Sequence, residues 1–212
     1  MSSSKKKNKL KFSKAYLVGP MDHDREKGRG WRVDLTDWLI NELGVIPFDP
    51  YHKPLHIMHT IGLEDDDSFM ARRAAIANLD IAEARRLMKP IVATDLRIVD
   101  HSDFLVVNFD VDSHPCGTID EIVTAANQNK PIILMCPQGI RKIYDWLWGR
   151  IRPELFFESW DDVKTYLKHI AFDDNIDCLG KWKFFDIEGT INKIIQNEQE
   201  KRLMEIINDT SI

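Results

Sequence analysis

Two carboxylic acids, Glu121 and Asp95, stand in contexts that lend themselves to chemistry. Glu121 closes the run Gly117-Thr118-Ile119-Asp120-Glu121, which opens an apolar-periodic segment through Ile122, Val123, Ala125 and Ala126 that reads as a helix. Ahead of it, Ser102-Asp103 leads into Phe104-Leu105-Val106-Val107, a short apolar run of the kind that forms a strand buried on both faces. Asn108 to Cys116, polar and punctuated by Pro115, reads as the loop between them. Strand, loop and helix start together make the ligand crevice of an open parallel α/β sheet. A glutamate in the first helical turn there is kept ionised by the helix macrodipole, the form a carboxylate nucleophile needs. The plainer alternative is a capping box, in which Thr118 and Glu121 reciprocally satisfy helix N-terminal donors. Asp95 precedes Leu96-Arg97-Ile98-Val99 and is either an N-cap or the second carboxyl of a pair, handling the proton of a leaving group. Asp103 reads as a loop or strand-start residue.

Other chemistry is weakly signalled. Gly19-Pro20-Met21-Asp22, with Gly28, Gly30 and Arg32, follows the strand Ala15-Tyr16-Leu17-Val18 but is neither a GxGxxG fingerprint nor a P-loop. Arg25, Arg29 and Arg32 are either contacts to a phosphate or sugar, or a solvated loop. His52, His56 and His59, near the acidic Glu64 to Asp67, are metal-ligand types without diagnostic spacing, so a surface segment is expected and no metal. Tyr144, Trp146, Trp148, Phe156, Phe157 and Trp160 crowd a short span and read as core or subunit interface.

The elements that would position these groups alternate between strand and helix. Trp31, Leu35, Trp38, Leu39 and Leu43 recur at helical spacing before Gly44, a fitting residue just past a helix end. Val45-Ile46-Pro47-Phe48 reads as the next strand. A helix capped by Ser68 is expected to run to about Met88, with Ile91-Val92-Ala93 as a short strand or extended link. Leu96 to Asp100 then reads as a short helix, and Pro131 to Met135 as another buried strand. A helix opening at Ser159 is expected to run to about His169, with a charged amphipathic helix from Ile191 to Ile207. The fold class is α/β, a Rossmann-like, flavodoxin-type parallel sheet flanked by helices. Residues 1–14 are expected to be a basic disordered tail, 15–140 the catalytic domain, and 141–212 a C-terminal helical extension packed on it.

The chain of 212 residues is 43% hydrophobic and 30% charged, which suits a soluble globular protein. Its net charge of −5 disfavours a nucleic-acid polymer as partner and suits a small-molecule substrate. Cys116, Cys136 and Cys178 are odd in number and form no CxxC, so neither a disulfide framework nor a zinc site is expected. No apolar run approaches membrane-spanning length, and the basic N-terminus lacks the apolar stretch of a signal peptide. A cytoplasmic location is expected.

Taken in order, Tyr16-Leu17-Val18-Gly19-Pro20-Met21-Asp22, Asp95, Ser102-Asp103-Phe104-Leu105-Val106-Val107 and Gly117-Thr118-Ile119-Asp120-Glu121-Ile122 resemble the nucleoside 2-deoxyribosyltransferase superfamily, which includes the 2′-deoxynucleoside 5′-monophosphate N-glycosidases. The resemblance spans roughly residues 15 to 136. It implies a double displacement at the anomeric carbon, with Glu121 as nucleophile, Asp95 as the acid near the leaving base and Tyr16 in contact with the nucleophile or sugar. Gly19, Pro20, Met21, Asp22, Arg32, Ser113, Gly117 and Thr118 are the expected substrate contacts. It also implies a homo-oligomer, a nucleoside or nucleotide substrate, and no cofactor. The chain departs from the transferases six positions before the glutamate, where several carry an acidic residue and this one has Pro115. Ser113 lies close to, but out of line with, the serine that nucleotide hydrolases use for the 5′-phosphate. The expected function is N-glycosidic cleavage with transfer of the sugar to a base or to water; the alternative is a non-catalytic nucleotide-binding module of the same fold.

Overall fold

The computed structural model describes residues 8–21, 29–50 and 66–173, the side chains of 66–68 excepted. Within these, the apolar runs form a five-stranded sheet, β1 (Lys14–Val18), β2 (Ile46–Phe48), β3 (Phe104–Asn108), β4 (Ile132–Met135) and β5 (Phe156–Phe157). Its order is β2-β1-β3-β4-β5 and every pairing is parallel. Parallel neighbours need crossover connections, and helices supply most of them: α1 (Arg29–Leu43), α2 (Asp66–Ala77), α3 (Ile81–His101), α4 (Cys116–Asn127) and the single turn α5 (Asp145–Trp148); α6 (Trp160–Phe172) follows β5. The expected α/β class with a parallel sheet is what the chain adopts. β1 and β3 are in register through Tyr16↔Leu105 and Val18↔Val107, and the direction of winding reverses between them. In such sheets that reversal opens a crevice at the carboxyl ends of the two strands.

Helix α1 buries Arg32, Leu35, Leu39 and Leu43, a stripe of three- and four-residue steps. It ends at Gly44, whose φ of +58° suits a residue without Cβ and whose amide donates to the Ile40 carbonyl at 3.0 Å. α6 is capped by Ser159, whose hydroxyl accepts from the Asp162 amide, and buries Val163, Leu167 and Ile170. α1 and α6 pack together through the stacked rings of Trp31 and Trp160, 5.0 Å apart, and the Lys168–Glu42 ion pair. α3 and α4 pack together elsewhere on the sheet.

Three expectations need correction. The helix expected to run to Met88 breaks at residues 78–80, where Leu79 adopts a φ of +56° and Asp80 caps a new helix by accepting from the Glu83 amide. That new helix, α3, then passes straight through Pro90. Proline denies the Arg86 carbonyl its amide donor, but Ile91, Thr94 and Ile98 recur at helical spacing and are buried, and this packing outweighs the lost bond. The expected strand at Ile91-Val92-Ala93 is therefore helix, and Asp95 lies well inside α3 instead of capping a short one. The tail is shorter than expected: Leu10 is fully buried and the Lys9 amide donates to the Ala171 carbonyl at 3.0 Å. The expected C-terminal helical appendage is present as α6, and the stretch after Gly139 also supplies edge strand β5.

The carboxyl end of α3 is closed by a side chain from afar. The buried Lys130 ammonium donates to the carbonyls of Val99, Asp100 and Ser102, some of the last acceptors that a helix cannot satisfy internally. Among the described residues no helix is long and apolar enough to cross a membrane. Leu105, fully buried in the middle of β3, makes a test of the core. Leu105→Ala is expected to lower unfolding free energy by about 2–5 kcal/mol, read as a fall in the urea midpoint without change of slope.

Candidate functional site

The crevice between the ends of β1 and β3 is lined from five sides. β1 contributes Tyr16 and the residues beyond it, Gly19, Pro20 and Met21. α3 presents Met88, Ile91, Val92, Asp95 and Leu96, one stripe of a helix face. The loop after β3 and the start of α4 give Ser113 to Thr118, Asp120 and Glu121. Phe69 and Arg72 reach in from α2, and Pro50 from the end of β2. The walls are largely apolar, with a few polar groups converging at one side, the usual make-up of a small-molecule site.

At its base the Tyr16 hydroxyl donates to Glu121 Oε1 at 2.6 Å. Tyr16 is 1% exposed. Burial pushes its phenol well above the usual tyrosine range, and the Glu121 and Asp95 carboxylates, with the hydrogen bond itself, push it further; Arg32 pulls the other way. The phenol is thus a neutral donor at any ordinary pH. Asp95 reaches the same place from α3, near enough for its charge to act on Tyr16. The structure so brings Tyr16, Glu121 and Asp95 together from three elements far apart in sequence.

The capping box does not form. α4 starts at Cys116, with Pro115 at the N-cap position and no side-chain cap bond, so Thr118 is the third helical residue and Glu121 falls beyond the first turn. The macrodipole is felt mainly within that turn, and the expected help from it is small. Glu121 is oriented by Tyr16 instead.

The other expected contacts divide. Gly19, Pro20, Met21, Ser113, Gly117 and Thr118 all line the crevice. A Cβ at Gly117 would meet nothing within 4 Å, whereas one at Gly19 would come within 3.0 Å of the Trp31 ring and 3.1 Å of the Asn108 carbonyl, so Gly19 is a close-packed position. Ser113 is buried and its hydroxyl donates to the Asp110 carbonyl at 2.9 Å. Arg32 is not in the crevice wall: it is fully buried and donates to the carbonyls of Leu17 and Gly19. Asp22, Arg25, Gly28, His52, His56, His59, Glu64 and the helix expected over 191–207 lie outside the described residues. Among the described residues no group of three or more His, Cys, Asp or Glu is placed to hold a metal ion.

The loop that carries Ser113 is held on both flanks. The Phe109 amide donates to the Met135 carbonyl, Asp110 accepts from Gln138 Nε2 at 2.6 Å and from the Asp112 amide, and the Phe109 ring meets Tyr144 edge-on. His114, at the rim, adopts a φ of +50°, a conformation that side chains resist and that clusters at functional sites. Sequence reasoning missed Arg72, which is 8% exposed and lies 5.6 Å from the Phe69 ring. Its only signal was helical spacing, Phe69 and Arg72 being three apart in an alanine-rich run.

No family model and no curated protein sequence matches the chain. Among solved structures it is similar to the 2-deoxyribosyltransferase of the psychrotolerant bacterium Bacillus psychrosaccharolyticus. The two are 18% identical over 73% of this chain and 92% of that one, with a TM-score of 0.48.

The raised phenol has a consequence for stability. Tyr16 keeps its proton in the folded protein but loses it near pH 10 once unfolded. Its contribution is therefore complete below about pH 10 and is lost progressively as pH rises above that value. Tyr166, also pushed up by burial, adds to the same loss. The urea midpoint is expected to fall between pH 9 and pH 11, and to fall less in Tyr16→Phe.

Proposed function

We propose that the chain cleaves the N-glycosidic bond of a nucleoside or nucleotide, in the manner of a nucleoside 2-deoxyribosyltransferase, through a glycosyl ester on Glu121. What supports this reading most is one contact, the Tyr16–Glu121 hydrogen bond at the base of a crevice into which Asp95 also reaches. A buried donor that cannot ionise holds one carboxylate in a single orientation, and a second carboxyl group comes in from another helix. Retaining N-glycosidic cleavage requires such a pair.

In the first step a Glu121 oxygen attacks C1′ of the sugar while the bond from C1′ to the base nitrogen breaks, through an oxocarbenium-like transition state. The bonding electrons leave with the base, and Asp95 supplies the proton that the nitrogen takes up. In the second step a water molecule or another base attacks C1′ and releases the Glu121 carboxylate, the entering group giving its proton back to Asp95. Tyr16 donates to the Glu121 carboxylate before attack, lets go as the ester forms, and donates again once the carboxylate is released. Thr118, Gly117 and the Gly19–Met21 segment form the wall against which the sugar would lie. The chain is expected to work as a homo-oligomer.

A chromatographic screen for released base tests this, using a panel of nucleosides and their 5′-monophosphates with and without an acceptor base. Glu121→Ala is expected to lose about 10³-fold or more. Asp95→Asn is expected to lose about 10²–10⁴-fold with poor leaving bases and much less with good ones. Base release that survives Glu121→Ala would remove the nucleophile, and binding without release across the whole panel would make the protein a nucleotide sensor.

A further inference from the structure

The crevice changes character along its length. Tyr16, Glu121 and Asp95 come together at one end, and Phe69 and Arg72 of α2 close the wall further along. α2 and α3 are joined by residues 78–80 and packed on one another. Arg72 is five residues from the end of α2 at Ala77, and Asp95 is fourteen from the start of α3 at Ile81. For two helices running side by side from one turn, Asp95 stands nine residues further out, roughly 13 Å at about 1.5 Å per residue.

Between these two groups the wall is apolar. Met88, Ile91 and Val92 line it from α3, and Phe69 lines it from α2. Val92 is 42% exposed, apolar surface that the face of a flat ligand would cover. Arg72 ends the slot. Among the described residues it is the one lysine or arginine lining the crevice, and it is buried. Its guanidinium lies beside the Phe69 ring, one turn away on the same helix face. A guanidinium offers donors only, in a fixed plane, and has no acceptor. The carboxylates of the wall, Asp95, Asp120 and Glu121, lie on α3 and α4. The slot thus has an acid at one end, apolar faces in the middle and a donor-only cation at the other end. A one-ring base seated against Asp95 leaves the far part of this wall uncovered, and a two-ring base extends along it.

We propose that Arg72 is a specificity-determining residue, selecting a purine base with an oxo group at C6 whose oxygen accepts from the guanidinium while Phe69 and Val92 cover the ring faces. This rests on the function proposed above and names the class of substrate it takes. An amino group at C6 presents hydrogens to a side chain that itself has only donors, and a bare C6 presents no acceptor. Either substitution loses a hydrogen bond to a buried charge, the kind of loss by which a site discriminates strongly.

The test measures affinity by calorimetry on Glu121→Gln, which keeps an acceptor for Tyr16 and is expected not to turn the ligands over. The ligands are 2′-deoxyinosine, 2′-deoxyadenosine and purine 2′-deoxyriboside, which carry oxygen, an amino group and hydrogen at C6. 2′-Deoxyinosine is expected to bind on the order of ten- to a hundred-fold tighter than either of the others. Adding Arg72→Gln is expected to abolish that preference while leaving the weaker two little changed. Should Arg72→Gln fail to fold, the Arg72 ¹⁵Nε resonance of the Glu121→Gln chain is expected to move with 2′-deoxyinosine and much less with purine 2′-deoxyriboside. Equal affinities, no binding at all, an unmoved Arg72 resonance, or a loss in Arg72→Gln that is the same for all three nucleosides overturns the proposal. So does a loss confined to 5′-monophosphates, which would make Arg72 a phosphate contact. Base release by the unaltered chain without any C6 preference would leave the proposed function standing and remove this specificity. 2′-Deoxyinosine bound as expected but never cleaved would sink the proposed function and leave this role of Arg72 in binding.

Discussion

The site depends on one hydrogen bond, from the Tyr16 hydroxyl to Glu121. A phenol buried without an acceptor costs about 1–3 kcal/mol, so once β1 places Tyr16 at 1% exposure an acceptor has to be brought to it. Glu121 can arrive only if α4 starts at the right place, and that start is set by the seven residues of Phe109 to Pro115. The strands are rigidly in register, so the loop carries the adjustment. Its ties to Met135 and Gln138 anchor it to the strand on its other side and the turn that follows. A loop fixed at both flanks on a parallel sheet is where binding groups are expected, because the scaffold supplies the precision.

The helices divide the work. α3 and α4 bring the two carboxyl groups, and their packing on one another sets how far apart those groups stand. α1 and α6 bring no crevice residue that is described, but they hold the end of β1 through Arg32, Trp31 and Trp160. A change in one layer therefore acts on the carboxyl groups themselves, and in the other on the end of β1. Lys130 belongs with the second kind, since it secures the end of the helix on which Asp95 rides.

Strands β1 to β4 were legible in the sequence because each lies in a short apolar run. The helices of the β2–β3 crossover were not. Pro90 and the aliphatic triple at 91–93 both point locally to a helix end and a strand, and only the burial of Ile91, Thr94 and Ile98 against the sheet reverses the sign. That is a tertiary effect overriding local preference. β5 is two residues long and is paired on one side only, too short for any periodicity to show. Within the site, Glu121, Asp95 and Tyr16 were legible as residues, yet their mutual contact was not, since local pattern gives each a nearby partner or none. Thr118 and Glu121 fit the capping pattern, and a Pro115 that starts the helix one turn too early for it undoes the match. Arg32 was legible as a charge near a glycine-rich turn; that it faces inward follows from its place in the Leu35, Leu39, Leu43 stripe.

That stripe also explains why the buried cation is tolerable. An arginine on the inner face of a helix would ordinarily be a defect, because its charge must be compensated where water is absent. Here the compensation is dipolar, from two backbone carbonyls, with the face of the Trp31 ring beside the guanidinium. A hydrogen-bonded glutamate is a less reactive nucleophile than a bare one, but it is confined to one rotamer and aimed, and aim is worth more in a displacement at carbon than basicity. Donor and carboxylate are thus parts of one arrangement, and removing either alters what the other can do.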